Sequence, residues 1–323
     1  MHTYTQLERE FADALKSVAR RQDIKSYIES NPLLQSLLWR SAKQYVTGGL
    51  REDGVAVAER LVERGYAVSL EYIGENTTLH EHCEAAATEL LTLVEGLGEK
   101  RIPSRVSFDL SHIGLMIDPS YTVAQLCRLA EAAQAYGIEL FISMEESAKT
   151  DRILEVYSKA CKQYANIGIT LQAQLHRTSE DVCTKLPVNA LLRIVKGAYQ
   201  EAEEIALPRS MALNERYKSL VRQAVRSGHR VSVATHDEGL LDQLMEAGLL
   251  SADNVEIEML YGIRPELSMK WRDDGYPVRI YLTYGHEWYL YLCHRIAEHP
   301  PNLYKALIAM LGEDAEDSVL AYE

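Results

Sequence analysis

Eight short segments rich in β-branched and other apolar residues alternate with stretches of helical periodicity after residue 65 of this chain. The segments lie at 68–72, 105–110, 138–143, 167–172, 192–196, 230–234, 254–258 and 278–282. Helical stretches at 122–135, 152–164, 214–226, 238–247 and 288–311 separate several of them. Such alternation builds parallel strands through right-handed crossovers, and eight units favour closure into a barrel over an open sheet. The sequence therefore predicts a TIM-like (β/α)8 barrel.

The first 65 residues predict helices instead of alternating elements. Their apolar residues recur at helical spacing, as in Leu7, Phe11, Leu15, Leu33 and Leu37. Gly48, Gly49 and Gly54 then precede a further helical stretch at 55–63. We expect an N-terminal helical arm over 1–65 that packs without catalysing, and a catalytic barrel over 66–323.

Charge and composition exclude several classes of protein. The chain carries 34 basic and 47 acidic side chains, a net charge of −13, which disfavours binding to nucleic acid or to an anionic membrane. Its five cysteines are dispersed, which argues against disulfides and structural zinc. No apolar run approaches the roughly 18 residues of a membrane span, and the first ten residues do not resemble a secretory signal. We expect a cytoplasmic protein.

The predicted strand ends are polar throughout. Active sites of (β/α)8 barrels lie at the carboxyl ends of the strands, so these residues are expected to share one site. They are Glu71, Asp109, Ser143, Gln172, Lys196, Thr235, His236, Glu258 and Tyr281.

Known cofactor motifs are scarce in the sequence. No G-x-G-x-x-G segment follows a strand and no P-loop occurs, although a nucleotide cofactor can still bind through basic side chains and helix N-termini. His80 and His82 lie away from the strand ends, and we expect no metal site. Lys196 admits two interpretations from its chemistry alone: a Schiff-base nucleophile, or an ion-paired or phosphate-binding lysine.

Six segments, in order between residues 71 and 298, resemble the proline dehydrogenase (proline oxidase) family. They are 71–75 (EYIGE), 171–173 (LQA), 192–199 (LRIVKGAY), 234–237 (ATHD), 258–263 (EMLYGI) and 279–298 (RIYLTYGHEWYLYLCHRIAE). The number and order of these matches make the resemblance specific.

The resemblance implies a distorted (β/α)8 barrel that holds FAD noncovalently. The family moves a hydride from the carbon beside an amine nitrogen to flavin N5 and leaves an imine. By position, Arg193 would lie near flavin N5 and Gln172 near the pyrimidine edge of the flavin. The residues implied to hold the flavin and its pyrophosphate are Lys196, Thr235 and His236. The wall around the substrate ring would comprise Tyr199, Leu260, Tyr281 and Tyr291.

Three positions depart from the family pattern. Asp109 replaces a lysine at the end of the second strand, and Ser143 replaces the aspartate that pairs with that lysine. On the last matched helix, His294 replaces the first of two adjacent arginines, before Arg295 and Glu298. A carboxylate is held best by paired guanidinium groups, and losing one charge-assisted hydrogen bond costs about 1.5–3 kcal/mol.

We therefore expect an FAD-dependent oxidoreductase that acts on the CH–NH bond of a proline-related or other amine, and not on free L-proline. Loss of hydride requires a neutral nitrogen, and Asp109, His294 and Glu298 are the candidate bases. The expected catalytic set is Asp109, Tyr281, His294, Arg295 and Glu298, with Ser143 among the substrate contacts.

Several alternatives remain open at this stage. The enzyme could be an ordinary L-proline dehydrogenase with a weakened carboxylate grip, a lyase that uses Lys196 as a Schiff base, or a barrel that only binds a ligand. Asp109 could pair with a neighbouring Arg or Lys, and the spacing of Arg295 and Glu298 permits an internal ion pair. The electron acceptor is open between a quinone, oxygen and a soluble carrier.

Overall fold

The computed structural model describes residues 6–19, 21–299, 301–312 and 319–322. Residues 1–5, which belong to the expected arm and to the segment compared with secretory signals, lie outside the described residues. No helix in the described ranges is both long enough and apolar enough to cross a bilayer.

Eight parallel strands close into a barrel in chain order, with the last strand paired to the first, which confirms the predicted fold class. They are β1 Ala67–Tyr72, β2 Ser104–Phe108, β3 Glu139–Ile142, β4 Ile167–Gln172, β5 Leu191–Val195, β6 Arg230–Ala234, β7 Val255–Leu260 and β8 Val278–Tyr284. The predicted β2 is too long, because a 3-10 turn at Leu110–His112 follows Asp109. Strands β7 and β8 extend two residues further than predicted.

Helices surround the barrel and connect its strands. They are α1 Gln6–Ala19, α2 Gln22–Glu29, α3 Pro32–Ala42, α4 Arg51–Glu63, α5 His80–Glu99, α6 Pro119–Ala135, α7 Thr150–Ala160, α8 Thr178–Thr184, α9 Met211–Arg226, α10 Glu238–Glu246, α11 Pro265–Asp273, α12 Trp288–Glu298 and α13 Asn302–Leu311. Local sequence determines several starts: Asp118 accepts hydrogen bonds from the first turn of α6, and Asp237 does the same for α10.

The single helix predicted over 288–311 is wrong, because α12 ends at Glu298 and α13 begins at Asn302. Pro301 stands at the break, and proline has no N–H to donate within a helix. The apolar periodicity continues through both helices, since both bury one face against the N-terminal helices.

The N-terminal helices pack in two different places. Helix α1 contacts α12, and α3 contacts α13, around a cluster that includes Tyr45, Trp288 and Leu292. Helix α4 packs instead against β1 and β8 of the barrel. This arrangement fixes α12 over one side of the barrel mouth, while the domain boundary at residue 65 stays a prediction.

The barrel interior contains an aromatic ring between two layers of charge. Phe141 on β3 is fully buried, with the guanidinium of Arg105 4.5 Å and that of Arg193 4.9 Å from its ring centroid. Gly168 on β4 leaves room for the ring, since a Cβ there would lie 2.6 Å from Phe141 Cζ. Arg193 stands nearer the carboxyl end of its strand than Arg105 does. The Phe141 ring therefore separates a lower charge layer, which contains Arg105, from the candidate site, which contains Arg193.

Candidate active site

Arg193 and Glu258 form a buried charged pair beneath the barrel mouth. Nε and Nη2 of Arg193 each donate to a carboxylate oxygen of Glu258 at 2.8 Å, and both residues are buried. Arg193 also donates to the hydroxyls of Thr170 and Ser107, and lies 4.7 Å from the centroid of the Tyr281 ring. Burial alone would lower the pKa of Arg193, but the Glu258 charge raises it, so this arginine is a fixed positive charge.

Glu71, Ser143 and Tyr281 converge from three different strand ends. The Ser143 hydroxyl donates to Glu71 Oε1 at 3.3 Å, and the Tyr281 hydroxyl also interacts with the Glu71 carboxylate. Burial raises the pKa of Glu71, although these hydroxyls and the charges of Arg193 and Arg295 act against the shift. Burial also raises the pKa of Tyr281, so its hydroxyl keeps its proton at neutral pH.

Helix α12 contributes Tyr291, Arg295 and Glu298 to the mouth. Arg295 Nη2 donates to Glu298 Oε1 at 2.8 Å, so the internal ion pair that the spacing permits is present. The Arg295 guanidinium also lies 4.8 Å from the centroid of the Tyr291 ring. Arg295 is only 9% exposed, and its buried Nε–H has no hydrogen-bond acceptor among the described residues. His294 precedes Arg295 on the same helix and is partly buried.

Asp109 lies among other carboxylates and not beside a cation of its own. One carboxylate oxygen from each of Glu75, Asp109 and Glu145 lies within 4.8 Å of the others. Burial, followed by the charges of Glu145, Glu71 and Glu75, raises the pKa of Asp109 well above its ordinary value. The interpretation that Asp109 forms a simple ion pair is therefore wrong for the described residues, in which Lys149 attracts it only through space.

Lys149 is occupied by the other acids of this region. Its Nζ donates to Glu145 at 2.6 Å and to Asn76 at 2.5 Å, and lies 3.0 Å from Glu146. Glu145 is fully buried and also accepts the Ser111 N–H at 3.0 Å. These contacts occupy Lys149 and leave Asp109 without a contact cation among the residues that the structure describes.

Lys196 and Thr235 lie beside the start of α10. Lys196 Nζ is 2.6 Å from Asp237 Oδ2, and the Thr235 hydroxyl accepts the Asp237 N–H at 3.2 Å. Burial lowers the pKa of Lys196, whereas Asp237 acts in the opposite direction. The alternative of an ion-paired lysine therefore describes Lys196 in this structure.

His236 presents an N–H group that lacks an acceptor. The backbone N–H of Leu260 donates to His236 Nε2 at 3.0 Å, so in the neutral ring Nδ1 carries the hydrogen. Burial lowers the pKa of His236 to about 4, so the ring is neutral at pH 7. Nδ1 is buried without a hydrogen-bond partner among the described residues, and such a donor is costly to leave unpaired.

Gln172 and Tyr199 line the side of the mouth opposite α12. Gln172 is buried, and its amide donates to the Glu145 carbonyl at 2.7 Å and accepts from Gln174 at 3.2 Å. Gln174 also donates to the Tyr199 carbonyl. Burial and then the charges of Asp109, Glu75 and Glu145 raise the pKa of Tyr199, which places its hydroxyl near the acidic group.

A separate cavity of about 470 Å³ lies outside this arrangement. Its lining residues are Gln35, Trp39, Lys43, Thr47, Gly48, Gly49, Asp53, His286 and Trp288. None of the predicted site residues lines it, so the charged groups of the barrel mouth, and not this cavity, define the candidate site. His80 and His82 are exposed at the start of α5 and do not approach the mouth groups described above.

Sequence reasoning assigned no role to three residues that shape the site. Glu71 was recognised as a strand end and Glu75 lies in the matched segment 71–75, but their convergence with Glu145 on Asp109 depends on loop conformation. The spacing of Glu145 and Lys149 did offer a signal for their ion pair, since residues four apart can meet on one turn of helix.

Comparisons with known proteins agree with the resemblance read from the sequence. The family model described as Proline dehydrogenase matches residues 55–302. Proline dehydrogenase 2 of Bacillus subtilis (strain 168) is 29% identical over 266 residues, which cover 81% of this chain and 88% of the relative. Proline dehydrogenase of Deinococcus radiodurans is 30% identical over 300 residues, which cover 90% of this chain and 95% of the relative.

A solved structure shares the fold across the whole chain. Proline utilization A (PutA) from Bdellovibrio bacteriovorus, inactivated by N-propargylglycine, superposes with a TM-score of 0.73 at 16% identity. The match covers 100% of this chain but only 44% of that protein. At this identity the likeness concerns the fold alone.

Proposed function

The chain belongs to the proline dehydrogenase family, and from that premise we propose that it is an FAD enzyme whose substrate is an amine other than free L-proline. Membership makes it an oxidoreductase that acts on a CH–NH group. We further propose which class of amine is oxidised and which residues bind it.

The residues of the mouth fit a flavin at one end of the site. The unpaired Nδ1–H of His236 needs an acceptor, and a phosphate or ribityl oxygen of FAD can supply one. Lys196 and Thr235 lie on neighbouring strand ends and would hold the same part of the cofactor. Arg193 would act through its charge and Gln172 through the remaining atoms of its amide, since both already have protein partners. FAD, when bound, supplies the acceptor for the two electrons of the substrate C–H bond.

The protein residues then have to bind the amine and control its proton. Among the three candidate bases, Glu298 is paired with Arg295, whereas Asp109 has no ion-pair partner among the described residues. A raised pKa makes the ionised form of the Asp109 carboxyl group a stronger base toward the ammonium proton, whose removal frees the nitrogen lone pair. We assign this role to Asp109, with Tyr199, Leu260, Tyr281 and Tyr291 as the wall around the substrate.

The environment of Asp109 is the observation that carries the choice against free L-proline. In the family pattern, a lysine at this position and two adjacent arginines on the last matched helix favour a substrate carboxylate. Here that cationic position is an acid that faces three further acids, and Arg295 is the one arginine of the pair that remains. An isolated guanidinium holds a carboxylate less firmly than a pair does.

The test begins with the visible absorbance of the purified protein, followed by anaerobic addition of L-proline and of other cyclic amines. Flavin bands that persist with L-proline but bleach with another amine are the expected result. Bleaching by L-proline at low concentration would identify an ordinary L-proline dehydrogenase. Absence of flavin bands after FAD is supplied would overturn the flavoenzyme assignment, and borohydride trapping of a carbonyl compound on Lys196 would then support the lyase.

A further inference from the structure

A β-turn at 260–263 begins at the last residue of β7 and contacts His236. The Leu260 N–H donates to His236 Nε2 at 3.0 Å, and the Ile263 N–H closes the turn by donating to the Leu260 carbonyl at 3.2 Å. The closing hydrogen bond of a β-turn joins its first and fourth residues. The N–H of the third residue, Gly262, therefore needs an acceptor from elsewhere in the protein.

Tyr322 supplies that acceptor. The Gly262 N–H donates to the Tyr322 hydroxyl oxygen at 2.8 Å. The Tyr322 ring is fully buried, and it stacks on the ring of Tyr261 with a centroid distance of 5.7 Å and an interplanar angle of 8°. Tyr322 therefore contacts both middle residues of the turn, one through its hydroxyl and the other through its ring.

Gly262 also approaches the chain between α3 and α4 so closely that only glycine fits. Its φ is +75°, and a Cβ at this position would lie 1.7 Å from the carbonyl oxygen of Gln44. A φ in this range also favours glycine over residues with a Cβ. The turn is therefore packed against Gln44 and Tyr322, which come from distant parts of the sequence.

Tyr322 is itself held in place by contacts with three other elements. Arg272 on α11 donates to the Tyr322 carbonyl at 3.3 Å, and Arg64 donates to the Val319 carbonyl at 3.4 Å. The ring of Tyr66, just before β1, meets the Tyr322 ring edge-on at a centroid distance of 5.7 Å. Because its backbone and its ring are both bound, Tyr322 presents its hydroxyl to the turn from a defined position.

Resting on the proposed function, we propose that Tyr322 is a positioning residue for the flavin, because it fixes the turn that orients His236. The Leu260 N–H holds Nε2 of that imidazole, which leaves the buried Nδ1–H free to donate to the cofactor. A hydrogen bond to one ring nitrogen sets both the tautomer and the direction of the other. Tyr322 acts only through the turn, whereas His236 is the residue that would touch the flavin.

The test is Tyr322→Phe, with Tyr66→Phe as the matched control. Both changes remove one phenolic hydroxyl from the same aromatic cluster, but the Tyr66 hydroxyl is buried without a hydrogen-bond partner among the described residues. We expect Tyr322→Phe to raise the Kd for FAD about threefold to tenfold, as for the loss of one hydrogen bond. Tyr66→Phe should change that Kd by less than about twofold. An unchanged Kd in Tyr322→Phe would overturn the inference.

Two measurements on the FAD-free protein distinguish positioning from a general loss of stability. Hydrogen exchange followed by mass spectrometry should become faster at 260–263 in Tyr322→Phe alone, while exchange in β4 stays the same in both variants. Burial lowers the pKa of His236 to about 4, and a looser Leu260 N–H should let it rise, as followed by NMR of the imidazole carbon-bound hydrogens. A lower free energy of unfolding without either local change would make Tyr322 a structural residue only and refute its positioning role.

The two proposals can fail separately. Absence of flavin bands in the unchanged protein, after FAD is supplied, would overturn the proposed function and with it the flavin role of Tyr322, even if exchange showed that Tyr322 holds the turn. Flavin that binds equally well to the unchanged protein and to Tyr322→Phe would overturn this inference alone.

Discussion

The buried pair of Arg193 and Glu258 offers a strong test of how charge is arranged under the mouth. The change is Glu258→Gln, which keeps the size of the side chain and removes its charge. Arg193 is 4% and Glu258 2% exposed, and two hydrogen bonds of 2.8 Å join them. Removing one partner of such a pair leaves a buried charge and costs about 3–5 kcal/mol in the free energy of unfolding.

A double-mutant cycle separates the pair from the surrounding packing. Arg193→Met leaves Glu258 buried without its counterion, Glu258→Gln leaves Arg193 without its counterion, and the two changes together leave neither charge. We expect the double variant to lose at least about 2 kcal/mol less in the free energy of unfolding than the sum of the two single variants. The reason is that the effects of changing two residues in contact are not additive. The assay is urea unfolding of the FAD-free protein, followed by far-ultraviolet circular dichroism at pH 7.

The pH dependence of stability should differ in sign between the unchanged protein and the Arg193→Met variant. In the unchanged protein burial opposes ionisation of Glu258, but the Arg193 charge holds its pKa below the ordinary value, so its contribution to stability is lost as pH falls. In Arg193→Met we expect burial to outweigh the remaining Arg105 charge and the Ser69 hydroxyl, so that the pKa of Glu258 is raised and stability falls as pH rises toward the new value. The reasoning for this buried pair would be refuted if Glu258→Gln lowered the free energy of unfolding by less than about 1 kcal/mol and if the effects of the two single changes were additive.

Three further predictions concern Asp109, its neighbours and the barrel core. The pKa of Asp109 is raised above 3.8, so its ionisation costs stability as pH rises, and Asp109→Asn should raise the melting temperature more at pH 8 than at pH 4. The triple variant Asp109→Lys, Ser143→Asp and His294→Arg should increase kcat/KM for L-proline at least tenfold in an anaerobic flavin-reduction assay; no gain in a folded triple variant contradicts the charge argument. Gly168→Ala should lower the free energy of unfolding by about 1–3 kcal/mol, because its Cβ would overlap Phe141, whereas an unchanged melting temperature would mean that the ring moves freely.

The barrel was predictable because its signal is repeated and local. Strands β4 and β6 have the predicted bounds, since each is a run of buried β-formers between clear helix ends. The break between α12 and α13 was missed, because apolar periodicity reports which face is buried and not whether the backbone continues. Pro301 marks that break and was the available signal.

The site was predictable only where strand ends determine position. Asp109, Ser143 and Tyr281 follow or belong to strands, and the barrel brings them to one mouth regardless of loop detail. The choice of partners depends on loops instead. Lys149 could have paired with Asp109 by charge alone, but the turn after β3 directs it to Glu145.

The charge balance of the mouth supports an unusual substrate without any reference to the family pattern. Four cations of the described mouth each have a carboxylate partner: Arg193 with Glu258, Lys149 with Glu145, Lys196 with Asp237, and Arg295 with Glu298. Glu71 and Asp109 then remain without an ion pair among the described residues, although hydroxyl groups and the more distant charges of Arg193 and Arg295 stabilise the ionised form of Glu71. The carboxyl groups of the described mouth therefore outnumber its cations whether or not Asp109 aligns with the family lysine, and a substrate whose main charged group is one carboxylate would increase the imbalance. A substrate that brings an additional positive charge corrects it, because each buried carboxylate then gains a partner in place of the water it has lost.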